Sequence, residues 1–431
     1  MIRRLLKTHV RNVVGVSFTA WLACAAYAAS SGWSTPVTLS TPIPPTFYTA
    51  SPVVAISSTD AHAAAWINEG NNLLLQVAAQ DAGGAWTNAQ TLSPSIGSNA
   101  ADPAVAVSST GAAVAMWDLY QTGSSQGLVI QASTRQAHGS WGALVSLTSG
   151  ATSSSSVPKI GMDRQGDAIA IWLQTTSTSS VIETANLPAG GSWTTPVALS
   201  SPELSAAKPS LAVNSSGDAI AGWQTTSGQI LVAERRSGNW GAPLTIASPA
   251  FRQGSPQVAI NDRGDAAIAW TGRGTALVTT RSAGGTWSTP TTVSKQSAGA
   301  TARIALDNSG NAVAIFEQVK LLGSSYVYPV KAVSRPVDGS WSAPTTISAP
   351  SDYASSPNLV ATPAGTFVAG WVDDTTNTVH AAIRAVGQNV FASPSYVGVG
   401  NSLDLAVAPG GTAATWIGPG PAVQVSDANT P

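Results

Sequence analysis

Asp118, Gln174, Gln224, Glu317, Asp373 and Asp374 share one context. Each stands within three residues of an aromatic that ends an apolar run: Trp117, Trp172, Trp223, Phe316 or Trp371. A carboxylate or amide just beyond a buried anchor is held on a rigid base. Such groups, with Tyr120 and Tyr353 as aromatic platforms, suit a neutral polar ligand such as a glycan. Ordinary solvated loops account for the same residues. Arg252, Arg273 and Arg303 fall on or beside loops of neighbouring segments, where together they would hold an anion; solvated loop charge is the simpler account.

Catalytic chemistry is harder to assemble. His62, His138 and His380 occupy different segments and different turn or strand contexts, so no shared metal is expected. No Ser-His-Asp or Cys-His set stands out among the many serines. We therefore assign no catalytic residue, no metal and no cofactor. Asp and Asn recur at turns and suggest calcium, but those side chains have a local task in accepting backbone N–H groups. Arg263-Gly264-Asp265 spells an integrin-binding tripeptide at a position where other segments read Gln-Gly-Asp or Ser-Gly-Asp, which is drift of a repeat.

The elements that position these residues come from a repeat. One phrase, Gly-x-Trp-x-x-Pro followed by alternating apolar residues, is anchored at Trp33, Trp86, Trp141, Trp193, Trp240, Trp287, Trp341 and, replaced, Phe391. The other runs from Pro-x-Val-Ala-Val through a turn to Ala-Ile-Ala-x-Trp, and ends at Trp66, Trp117, Trp172, Trp223, Trp270, Phe316, Trp371 and Trp416. Between its halves, Asp163 to Gly166, Asn214 to Gly217, Asn261 to Gly264 and Asp307 to Gly310 put Asx first and Gly fourth, a type I turn with a glycine bulge. Pro363 suits the second turn position, and "APGGTAATW" is shifted by a residue. A polar loop, a third strand such as "ILVAERR", a Gly-rich turn and the tryptophan phrase complete four antiparallel strands, the content of a propeller blade.

Eight such units predict an all-β, eight-bladed β-propeller over residues 29–431. "GWSTPVTLS" at the start pairs with "AVQVS" near the end to close the last blade. Segments such as "AIAIW" are apolar on both sides, as expected of strands covered by neighbouring blades. Small residues such as Ala168 and Ala170 fit near the axis, and tryptophans fill the wider gaps outside.

Residues 1–28 read as a secretory signal peptide: a basic head with Arg3, Arg4, Lys7 and Arg11, an apolar run from Val13, and Ala26-Tyr27-Ala28. Lipidation at Cys24 and a twin-arginine signal are weaker readings of the same stretch. Cleavage would leave sixteen basic against twenty-one acidic residues, a balance of −5, and would remove the only cysteine. That mild acidity argues against nucleic acid, and no later apolar run is long enough to span a bilayer. We expect an exported monomer in the periplasm, at the cell surface or in the medium.

The tryptophan phrase resembles the bacterial-neuraminidase repeat, or Asp-box, Ser-x-Asp-x-Gly-x-Thr-Trp. Asp81-Ala82-Gly83-Gly84-Ala85-Trp86 keeps the Asp, Gly and Trp, and Gly284-Gly285-Thr286-Trp287 keeps Gly, Thr and Trp; most copies have lost the Asp and the leading Ser. The resemblance to sialidase-like proteins implies a propeller but not one activity. Sialidase chemistry would need three arginines, a Tyr activated by Glu and an acidic Asp. The Phe-Arg-Ile-Pro segment is absent, no Tyr and Glu pair sits at a matching position, and Arg135, Arg235, Arg281 and Arg335 end third strands beside the turns of the non-catalytic face. The expectation is a non-catalytic recognition module for carbohydrate or another polar cell-surface ligand. An envelope protein scaffold and a sialidase-like hydrolase or lyase are the alternatives.

Overall fold

The computed structural model describes residues 32–40, 48–70, 72–94, 97–121, 127–150, 153–248, 254–294, 298–420 and 422–428. The leader read over residues 1–28, with Cys24, and Arg252 lie outside them. Eight antiparallel blades follow one another along the chain, four strands to a blade except that the fourth has its outer strand in two pieces and the eighth takes its outer strand from the start of the chain. Blades one to eight begin with the innermost strands Tyr48–Ile56, Ser98–Val107, Ser154–Met162, Ala206–Val213, Gln257–Ile260, Ala298–Leu306, Ala354–Ala361 and Asn401–Ala408. These first strands pack against one another around the ring, that of blade eight against that of blade one. Among the described residues one 3-10 turn, Pro202–Leu204, interrupts the β-structure. Among the described residues no helix is long and apolar enough to cross a membrane.

The ring closes as the repeat demands. Val37 pairs with Val425 and Thr38 with Gln424. The Ser34 N–H donates to Asp427 O at 2.7 Å and the Leu39 N–H to Val423 O at 2.9 Å. Trp33 is buried at this seam.

The cores lie between blades rather than within them. Val114 and Met116 of blade two pack with Ala168, Ala170 and Trp172 of blade three. Ile220 and Val232 of blade four pack with Ile268 and Trp270 of blade five. Leu39, Val423 and Val425 of blade eight meet Ala64, Trp66 and Ala78 of blade one. The second strands are therefore buried on both faces; Ala168 to Trp172 are each at most 2% exposed. Each tryptophan closing the second phrase removes about 150–250 Å² from water and leaves a wide gap filled. Those of the other phrase sit further out, and most are half-buried.

In most blades the innermost strand carries a bulge. Register shifts occur at Ala50/Val53, Ala101/Ala104, Ser156/Lys159, Ala207/Ser210 and Ser355/Asn358. At each, a left-handed residue (Ser51, Asp102, Val157, Lys208, Ser356) precedes a proline. The innermost edge has no further strand to pair with, so proline's missing N–H is tolerated there and the bulge turns the chain along the axis. Most outer strands are two residues long, such as Gln90–Thr91 and Thr291–Thr292, which keeps the rim from templating further strands.

Candidate ligand-binding face

On one face of the ring lie the turns between first and second strands. Asn214 Oδ1 accepts from the Ser216 and Asp218 N–H groups, and Asn261 Oδ1 from Arg263 and Asp265, each within 3.0 Å. Asp163 and Asp307 do the same in their own turns. Gly166, Gly217, Gly264 and Gly310 take the positive φ that the bulge requires. The shifted copy in blade eight closes instead as a two-residue turn, with Ala408 opposite Gly411.

The same side chains also join blades. Asn214 Nδ2 donates to Asn261 O at 3.1 Å, Asn261 Nδ2 to Asp307 O at 2.8 Å, and the Asp262 N–H to Asn308 Oδ1 at 3.0 Å. This belt rims an axial vestibule of about 250 Å³ to which all eight blades contribute. The carboxylates that suggested calcium are engaged in it, and among the described residues no three His, Cys, Asp or Glu side chains are placed to hold a metal.

Arginines ending third strands lie beside these turns, as expected. Arg135 Nη1 reaches Gly111 O, Arg235 Nη1 Gly217 O, and Arg281 Nη2 Gly264 O. Asp81 grips Arg135 of the next blade through both oxygens, at 2.9 and 2.8 Å, and caps the His138 N–H. That guanidinium holds the Asp81 carboxyl down at about 2. Asp265 of the Arg-Gly-Asp tripeptide is buried and accepts from the Ala283 N–H and Asn261 Nδ2, which leaves it no free oxygen to offer a receptor.

The opposite face carries the connections between second and third strands and those between blades. Here the nominated residues separate. Asp118 lies inside a strand, Ala113–Gln121, paired with Ala101 and only 2% exposed. Burial, then the charge of Asp102, pushes its carboxyl up to about 7, and its Oδ1 has no hydrogen-bond partner. Glu317 is buried at the equivalent position of blade six. Gln174 accepts from Ser155 Oγ at 3.2 Å, and Gln224 is half-buried opposite Ala207. Asp373 is buried and caps its own turn, accepting from Thr376 Oγ1 at 2.7 Å and the Thr375 N–H at 3.0 Å. Asp374 is exposed and accepts from Ser355 Oγ at 2.7 Å; Tyr120 is also exposed. Arg273 is exposed in the tight turn of blade five, whereas Arg303 lies in the first strand of blade six and donates from Nε to Pro357 O at 3.0 Å. No contact joins these two arginines among the described residues.

Arg303 belongs instead to an axial set that includes residues not nominated from sequence. Four positions before the first residue of each turn stand Val53, Ala104, Lys159, Ser210, Gln257, Arg303, Asn358 and Asp404. Asp404 accepts from the Val54 N–H at 3.0 Å and Asn358 Nδ2 at 2.8 Å, linking blades one, seven and eight. Burial pushes its carboxyl up and pulls the Lys159 ammonium down; Asp102, Asp404 and Asp118 partly restore the latter from around the axis. The signal was present in the sequence: charge varies at this position between neighbours that repeat, as it does two residues earlier, where Asp102 and Lys208 stand.

The corner of blades six and seven differs from the others among the described residues. A hairpin, Lys320–Leu322 with Ser325–Val327, is inserted between second and third strands. Just beyond it Tyr328 bridges to Tyr353, with ring centroids 4.6 Å apart at 75°. The Tyr328 N–H donates to Asp352 O and the Asp374 N–H to Tyr353 O, so the backbone of the pair is fixed from both sides. Tyr353 remains 43% exposed, next to the exposed Asp374. Burial raises the Asp352 carboxyl and lowers His380, whose ring stacks on Trp371 at 6.2 Å.

No protein-family model matches the chain, and no curated protein is significantly similar to it. Solved structures do match. The WD40 domain of SCAP from fission yeast aligns with a TM-score of 0.51 at 10% identity, over 92% of this chain and 98% of that one. The GH93 α-L-arabinofuranosidase of Fusarium graminearum aligns at 0.41 and 13%, over 92% of this chain and 98% of that one. The Hadza microbial sialidase Hz136 aligns at 0.42 and 12%, over 63% of each chain, less than two thirds of that protein's length. At 10% identity the first of these likenesses supports the fold class, a β-propeller, and nothing finer.

Proposed function

We propose that the protein is an exported, non-catalytic recognition module that binds carbohydrate or a similar polar ligand on the face carrying Tyr353. The observation that carries this reading is the Tyr328–Tyr353 pair: an exposed ring, braced edge-to-face, on a backbone fixed by two neighbouring segments. Such a ring loses little freedom on binding and offers its flat side to a sugar. Asp374 supplies a hydrogen-bond acceptor beside it. Export rests on the leader read over residues 1–28, and kinship with sialidase-like repeat proteins rests on the Asp-box resemblance.

A glycan-array screen followed by calorimetry tests the reading. Tyr353→Ala should weaken the best ligand about tenfold, corresponding to about 1.4 kcal/mol, with the melting temperature unchanged. Absence of any glycan ligand, or wild-type affinity in the variant, refutes it. The envelope-scaffold reading draws on the inserted hairpin, where Leu321, Leu322 and Tyr326 are exposed. Leu321→Ser with Leu322→Ser, which leaves the hairpin backbone and Tyr328 in place, should then abolish capture of an envelope protein while sparing glycan binding.

A further inference from the structure

On the turn face, a cleft of about 60 Å³ between blades four and five is lined by Arg235, Arg236, Arg263 and Arg281 and by the carboxylates Asp218 and Glu234. In a chain with only 20 lysines and arginines, four converge on one small recess, with a net lining charge of +2. The donors are not all used. Arg281 is largely engaged: Nε is ion-paired with Glu234 at 2.8 Å but out of line for a hydrogen bond, Nη1 donates to Ser282 O, Nη2 to Gly264 O, and the guanidinium lies over Trp287.

Glu234 is also consumed, by Arg281, by Arg236 Nη2 at 3.0 Å and by Trp287 Nε1 at 3.1 Å. Asp218 accepts from the Ser237 N–H. Arg235, by contrast, has a buried Nε with no partner. Arg263 reaches only Ser309 O and, at 3.8 Å, the edge of Asp265. Buried donors without acceptors are rare and costly, and a recess with surplus positive charge favours an acceptor that is itself an anion.

We propose that this cleft binds a tetrahedral oxyanion, phosphate or sulfate, free or as a monoester, between Arg235, Arg236 and Arg263. The recess of about 60 Å³ has room for one such group. Planar guanidinium forks match its oxygen edges. An ester would leave its organic part outside the cleft.

Titration calorimetry of the protein with inorganic phosphate and with sulfate, against chloride at equal ionic strength, tests the assignment. Saturable one-to-one binding of either oxyanion, and none of chloride, is expected. Methyl phosphate and methyl sulfate separate the sources. Binding equal to the free ion means that an ester is accommodated, and loss of binding means that the enclosed free ion is the ligand. Arg236→Gln and Arg263→Gln alter side chains that are 48% and 58% exposed, so the fold should be unaffected; each should weaken binding at least tenfold. Arg164→Gln, in the axial vestibule of the same face, should leave binding unchanged. Chloride-like heats for both oxyanions, wild-type binding in both cleft variants, or equal weakening by Arg164→Gln would overturn the proposal.

Discussion

Asp118 makes the axial site measurable through stability. Its carboxyl titrates near 3.9 in an unfolded chain and near 7 in the fold, because burial, then the charge of Asp102, disfavours the ionised form. Between those values the folded state binds a proton that the unfolded state has released. Stability therefore falls as pH rises from about 4 to about 7 and is level above. That difference corresponds to about 4 kcal/mol, at 1.36 kcal/mol for each tenfold change in proton affinity. Asp118→Asn replaces a carboxylate that must ionise inside the ring by a neutral amide of the same shape, so it should be more stable than wild type at pH 8 by up to that amount. At pH 4 the two should be nearly equal. Asp404, Asp352 and Asp427 are raised by burial as well and slope the wild-type curve in the same direction, so the difference between the two proteins is the informative quantity. Urea unfolding followed by tryptophan fluorescence from pH 4 to 9 supplies it. Asp102→Asn should shift the wild-type decline to lower pH by removing the second cause. Parallel curves for wild type and Asp118→Asn across this range would refute the argument.

Three further outcomes follow from named contacts. Ser34 Oγ and Ser426 Oγ lie 3.3 Å apart across the seam that closes the ring. A Ser34→Cys/Ser426→Cys pair should therefore form a disulfide adding about 2–4 kcal/mol, visible as a melting temperature that drops on reduction. Asp81→Asn leaves the buried Arg135 without its carboxylate and should destabilise by about 2–4 kcal/mol, measured by denaturant midpoint. Asn261→Ala removes both acceptor and donor from a buried belt position and should cost about 2–4 kcal/mol, with hydrogen exchange accelerating in the turns of blades four to six.

The repeat could be read without coordinates because its physics is local. A Gly at the bulge position, an Asx opening a turn, and an apolar run ending in tryptophan each state their geometry in a few residues, and eight copies imply a ring. Gly166, Asn214 and Trp172 stand in the roles that their types predict. The site was legible only in part. Asp118 and Glu317 read as loop residues because polar residues begin directly after the aromatic anchor. In every blade the second strand runs two to four residues past that aromatic, which takes Asp118, Gln174, Gln224, Glu317 and Asp373 into it. Arg273 and Arg303 are close in sequence, yet one lies in a turn and the other in an innermost strand. The bracing of Tyr353 by Tyr328 depends on an inserted hairpin and on contact between two blades.

Sequence alone therefore determined the unit, the number of units and how the ends join, since strand period, turn chemistry and anchor spacing act over a few residues. Tertiary structure decided which polar groups meet. Residues from blades three, six and eight converge on the axis only because the ring curves, and no spacing along the chain records that curvature.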